Sequence, residues 1–274
     1  MFPQDFKYHA PDSVDEVIRL LTSDSSARLL GGGMSLLPLV NLDVLSPGAL
    51  VSLSRVPDLD GVSISQGSVH VGGSTTHAQL AADSTARTSC PLLADAAAAI
   101  ADVQVRNRGT LGGSLAHGYP GAEYATVLAA LDATIHTQGA AGHRSITART
   151  LVTGRLQTAI ARDEIITRVG VPLPESGTRA AYLRFSRVQG NYSTVNVAAI
   201  VSPDDRVTLS IGGALERPVV IETDLDADIE RLAEQACADS YDDHMASAAY
   251  RTAMAGVLSR RVLNAALADA PFGR

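Results

Sequence analysis

The sequence has no tryptophan, only two cysteines, and aromatic residues at just 4% of its length. So few stacking surfaces argue against nucleobase binding as the main activity. Cys90 and Cys237 lie far apart and neither belongs to a Cys-x-x-Cys pair, so the chain carries no iron–sulfur or zinc ligand set of its own. Both read as reduced core thiols of a cytoplasmic protein. The alanine-rich stretch around Ala96–Ala99 is interrupted by Asp95 and Asp102, and no apolar run is long enough for a membrane span. The first residues lack a basic n-region and an apolar h-region, so no signal peptide is expected. Net charge is −7 and no basic stripe occurs, which speaks against a nucleic-acid partner.

What is present fits a folded, globular protein. Hydrophobic residues make up 46% of the 274 residues and charged residues 19%, enough for a sizeable core divided between about two domains. Ser13 and Glu16 form a capping box for a helix through Val17, Ile18 and Leu21. Short strands are expected at Arg28–Leu30 and Leu50–Leu53, with a helix at Ser35–Leu42 interrupted by Pro38. Val56-Pro57-Asp58 marks a boundary, giving a small α/β unit over residues 1–56. A larger α+β unit follows over 57–176. It has a hairpin around Gln66–Ser68, a helix capped by Thr75 or Thr76, a helix opened by Pro91, another at Ala122–Leu131, a hairpin around Gly139–Gly142 and a strand ending at Pro172. Residues 177–274 form a third, C-terminal unit. Tyr182–Arg187, Ser193–Val201 and Val207–Gly212 alternate as a three-stranded antiparallel meander, with helices at Asp228–Ala236 and Met245–Leu267. The fold class is α+β.

Two glycine-rich segments stand about eighty residues apart, Leu29 to Leu36 around Gly31-Gly32-Gly33 and Arg106 to Leu115 around Gly112-Gly113. Each follows apolar sequence and includes hydroxyl residues: Ser35 in the first, Thr110 and Ser114 in the second. Glycine lets backbone N–H groups approach an anion without an intervening Cβ, and hydroxyls add donors. Two such segments suit a ligand with two phosphates. Neither has the G-x-G-x-x-G spacing of a dinucleotide fingerprint or the Gly-Lys-Ser/Thr of a Walker A loop. Taken singly, each is better explained as a tight turn between strands.

Read together, residues 29–56, 71–80 and 101–131 resemble the FAD-binding medium subunit of molybdenum hydroxylases, of the xanthine dehydrogenase and carbon monoxide dehydrogenase type. The resemblance runs in order over nearly the whole chain, and residues 104–123 are its most specific part. It implies a two-part FAD-binding domain followed by a C-terminal domain. It also implies an oxidoreductase subunit that passes electrons from two 2Fe–2S clusters of a small partner subunit through FAD to an external acceptor, while a large molybdopterin subunit hydroxylates the substrate. A dimer of heterotrimers is the assembly it suggests. A stand-alone FAD-dependent oxidoreductase of the same fold is the alternative, although about 100 C-terminal residues are few for a separate substrate domain.

Carried over residue by residue, the resemblance makes Leu29, Leu30, Gly31, Gly32, Gly33, Met34, Ser35 and Leu36 the first FAD site, and Thr110, Leu111, Gly112, Gly113 and Ser114 the second. Gly32, Gly33, Gly112 and Gly113 would supply backbone donors. Glu123 would accept hydrogen bonds from FAD hydroxyls, Ile100 and Ile166 would pack near the flavin ring, and Arg184 lies on a strand that comes near it. By their residue types alone Glu123 also suits a helix N-terminus, Ile100 and Ile166 a core, and Arg184 a solvated strand face. Met34 departs from the polar residue common in the family and cannot donate to phosphate. Arg106 and Arg108 suit either phosphate neutralisation or surface and partner contacts. His117 reads best as a structural hydrogen-bonding residue. No catalytic or metal-binding residue is expected in this chain.

Overall fold

A computed structural model describes residues 4–268; the ends of the two outer expected units, residues 1–3 and 269–274, lie outside that range. The first sheet is built from β1 (Lys7–His9), α1 (Val14–Ser23), β2 (Ala27–Leu30), α2 (Leu36–Asn41) and β3 (Ala49–Ser52), with its three strands parallel in the order β1-β3-β2. Ser13 caps α1 by accepting from the Glu16 amide at 3.3 Å, and Val17, Ile18 and Leu21 face the sheet. Pro38 does not interrupt α2. It falls in the first turn, where an amide has no intrahelical acceptor to lose.

The central unit begins with the hairpin β4 (Val62–Ser65) and β5 (Ser68–Gly72). Helices α3 (His77–Ala82), α4 (Ser84–Ser89), α5 (Pro91–Ala99), α6 (Val103–Arg108), α7 (Leu111–His117) and α8 (Glu123–Ala130) follow. The chain then forms β6 (Thr134–Gly139), β7 (Gly142–Thr147), α9 (Ala148–Leu151), the ribbon β8 (Val152–Gly154) with β9 (Gln157–Thr158), and β10 (Ile165–Pro172). Strands β4, β5, β10, β6 and β7 join in that order as an antiparallel sheet. Val69, Val71, Ile135, Val169 and Val171 face inward from it, fully buried with the Ala and Leu side chains of α5 and α8. The small alanines of α5 let it sit close against both α3 and α8.

The last unit is a sheet of β11 (Arg179–Phe185), β12 (Val195–Val201), β13 (Arg206–Gly212) and β14 (Val219–Asp224), backed by α10 (Ile229–Ala236) and α11 (Ala248–Ala268). It has four strands, not the three expected. The extra one, β14, is a half-exposed edge whose Glu222 and Asp224 break the apolar pattern that marks its neighbours. Its core joins Val195, Val197, Leu209 and Ile211 to Leu258, Val262 and Leu263 of α11.

Within that core lies Arg251, fully buried on α11. Nη1 donates to the carbonyls of Thr194 and Gly213, each at 2.7 Å, Nη2 donates to Asp243 at 2.5 Å, and the guanidinium stacks 4.5 Å from the Tyr241 ring centroid. Removing one partner of a buried ion pair strands the other. Arg251→Ala should therefore cost about 3–5 kcal/mol, a fall in melting temperature on the order of ten degrees. Arg19→Ala, which breaks an exposed pair with Glu16 at 3.6 Å, should cost less than about 1 kcal/mol in the same thermal melts.

Candidate functional site

The two glycine-rich segments meet, and they meet backbone to backbone. A Cβ on Gly32 would stand 1.8 Å from the Arg108 carbonyl oxygen and 2.7 Å from the Gly109 Cα. Gly31 lies against the Thr110 hydroxyl, which a Cβ would approach to 3.0 Å. Gly33 has φ of +76°, a conformation that favours glycine, and folds under Leu37. Among the described residues none accepts a hydrogen bond from the amides of Gly32, Gly33, Met34 or Ser35. Ser35 flanks α2 without capping it, so its hydroxyl is also uncommitted to the helix.

The second segment behaves differently. It is the first turn of α7 rather than a loop, with Thr110 as its N-cap. The Leu111 amide donates to Thr75 (3.0 Å), that of Gly112 to Gly73 (2.8 Å), and that of Gly113 to the Thr110 hydroxyl (3.1 Å). The expected free donors at Gly112 and Gly113 are thus already engaged. Their contribution is the absence of a side chain: a Cβ on Gly112 would lie 2.7 Å from the Gly73 carbonyl oxygen.

Between the segments opens a cleft of about 530 Å³, within the usual range for cofactor sites. All the expected site residues line it except Leu30, Leu111 and Arg184. Leu30 packs beside Gly33, and Leu111 is fully buried in the central core. Arg184 lies behind Glu123: its Nε is 3.4 Å from the Glu123 carboxylate and 3.0 Å from the Ser193 hydroxyl, and Nη1 donates to Ala99 at 2.6 Å. Ser193 also donates to Glu123 at 3.2 Å. Burial raises the Glu123 pKa, and Arg184 opposes the rise.

The fold also brings to the cleft residues that carry no local signal in the sequence. Arg28 and Arg162 both line it and both donate to the Ser25 carbonyl, while Arg162 also reaches the Leu21 carbonyl at the end of α1 (2.9 Å). Glu164 lines it too, held below the usual carboxylate range by its hydrogen bonds with Arg144. Tyr192 closes one edge, stacked on Tyr119 at 4.0 Å between centroids. Arg108, expected either to neutralise phosphate or to lie at the surface, meets the first segment through its carbonyl and is not among the residues that line the cleft. Arg106 instead donates to the carbonyls of Ile100 and Ala101, at 2.8 and 3.0 Å, and so steadies a turn in which Ala101 has φ of +43°. His117 packs against Tyr119.

Residues 4–174 match the family described as the FAD binding domain in molybdopterin dehydrogenase. The chain is 35% identical to the carbon monoxide dehydrogenase medium chain of Hydrogenophaga pseudoflava, covering 98% of this chain and 99% of that one. It is 34% identical to the nicotine 6-hydroxylase medium subunit of Paenarthrobacter nicotinovorans, covering 94% and 95%. Among solved structures, quinoline 2-oxidoreductase from Pseudomonas putida 86 superposes with a TM-score of 0.89 at 32% identity, over 97% of this chain and 98% of that one.

The contrast between the glycines can be tested by stability alone. Gly32→Ala has to force two backbones apart and should cost about 3 kcal/mol or more. A Cβ on Gly113 meets only the Thr110 hydroxyl, at 2.8 Å. Displacing that cap costs about 1 kcal/mol, offset in part by relieving the helix of a glycine, so Gly113→Ala should cost clearly less than Gly32→Ala in denaturant melts.

Proposed function

This chain belongs to the FAD-binding family of molybdopterin dehydrogenases, and on that premise we propose that it is the electron-transfer subunit of a three-chain molybdenum enzyme. It is an FAD-containing component of an oxidoreductase. Its partners would be a large molybdopterin subunit and a small subunit carrying two 2Fe–2S clusters, in a dimer of heterotrimers in the cytoplasm. The names medium chain and medium subunit, carried by relatives matched end to end, support that composition. Among the described residues no cluster of His, Cys, Asp or Glu could hold a metal, both cysteines are buried and free, and no helix is long and apolar enough to cross a membrane.

The observation that carries the FAD reading is the row of four open amides at Gly32–Ser35, facing a cleft that also presents Arg28 and Arg162. Such a nest suits a diphosphate. The Ser35 and Ser114 hydroxyls would add donors, and Glu123 would accept from ribityl or ribose hydroxyls. Ile100 and Ile166 would wall the flavin ring. Arg184 would act through Glu123, holding its carboxylate in place from outside the cleft. Bound FAD supplies the electron exchange; the protein supplies grip, orientation and a site partly shielded from water.

Purification from the native host should yield a complex with a flavin band, molybdenum and iron. A free monomer that turns over a substrate unaided would instead establish the stand-alone oxidoreductase. Glu123→Ala should weaken FAD retention by about ten- to a hundredfold, as loss of a charge-assisted bond implies, measured as flavin-to-protein ratio after dilution. Unchanged retention would leave Glu123 as a charge at the start of α8.

A further inference from the structure

His77 has no part in the reading above, yet it is held with unusual care at the cleft wall. Thr76 and Gln79 close a capping box around the start of α3, with the Thr76 amide 2.8 Å from Gln79 Oε1 and the Gln79 amide 3.2 Å from Thr76 Oγ1. The His77 amide donates to the Gly109 carbonyl at 3.0 Å. Its side chain is 4% exposed and lines the cleft, and Nδ1 lies 2.9 Å from the hydroxyl of Tyr124, itself fully buried. Burial keeps both groups neutral: the phenol pKa is pushed well up, and the imidazole pKa falls to about 4.

A buried phenol has one proton to give, and among the described residues Nδ1 is its only hydrogen-bond partner. If Nδ1 accepts, the single proton of the neutral ring must sit on Nε2. That nitrogen lies over Gly109, where a Cβ would stand 2.6 Å from it, and it meets no acceptor among the described residues. Gly109 in turn abuts Gly32. A donor so placed, beside the open amides, has nothing in the protein to donate to.

We propose that His77 donates a hydrogen bond from Nε2 to an oxygen of the bound dinucleotide, with Tyr124 holding the ring in the donating tautomer. The proposal rests on the FAD reading. It makes His77 a cofactor-positioning residue and Tyr124 the residue that sets its proton.

The test is to strip FAD from the full chain, purified with its native partners, and titrate FAD back. His77→Phe removes the donor and should weaken binding about tenfold. His77→Gln places an amide N–H near the position of Nε2 and should stay within about threefold of the parent. Tyr124→Phe frees the tautomer and should fall between the two. A change in the flavin absorption band across the series assigns the oxygen to the ring; a constant band with lost affinity assigns it to the diphosphate. If His77 only props up Gly109, His77→Phe lowers the apoprotein melting temperature while folded protein binds FAD as the parent does, and the proposal is overturned. Wild-type protein that does not take up FAD overturns the flavin reading and this proposal together. Should His77→Phe fail to fold, the nitrogen-15 spectrum of the wild-type apoprotein decides: an Nε2–H tautomer is required, and an Nδ1–H tautomer ends the proposal.

Discussion

The cleft depends on a contact that only glycine permits. Gly32 rests on the Arg108 carbonyl and the Gly109 Cα, so at this point the parallel unit and the helical unit meet main chain to main chain. The same device continues inward. Gly112 packs on the Gly73 carbonyl, and Gly73 packs on that of Ile166, where a Cβ would lie 2.1 Å from the oxygen. One wall of the cleft is therefore largely peptide backbone. It is rigid because its own amides are mostly paired, as at Leu111, Gly112 and Gly113. The opposing turn is held in place by that wall and keeps its own amides free. A segment that cannot satisfy its donors internally can do so only with a ligand or water.

Charge is handled by pairing just outside the cleft. Glu123 is backed by Arg184, and Glu164 by Arg144, so neither carboxylate stands alone in a poorly hydrated place. Arg184 does more than neutralise. It ties the end of α5 to Asn191 and Ser193, while Arg251 grips Thr194 from α11. The stretch that carries Tyr192 to the cleft edge is thus clamped by two guanidinium groups from different elements. The C-terminal sheet contributes to the site through this short connection, and its buried ion pair becomes part of the site's support.

Much of this was legible in local sequence. The Ser13 cap, the hairpin around Gly67, the helix opened by Pro91 and the alternation of β12 and β13 are decided within a few residues by capping, turn chemistry and period. The glycine segments were legible as places where a Cβ is unwelcome. What they approach was not. Gly112 and Gly113 look like anion donors until Gly73 and Thr110 are seen to occupy their amides, and the Thr110 hydroxyl that lines the cleft also accepts the cap bond of α7. Strand β14 was missed because an edge strand needs only one paired side and tolerates acidic residues on the other.

The amino-acid order by itself determined the α+β class, the glycine positions and the residues that cap the first helix. These follow from composition and from interactions spanning four residues or fewer. The tertiary structure alone decided which backbone each glycine meets, which amides stay open, and that Arg28, Arg162, Tyr192 and His77 share one cleft. Those residues come from four separate stretches of chain, and no local pattern records a distance across that many intervening residues. Only the packing of the three units against one another brings them together.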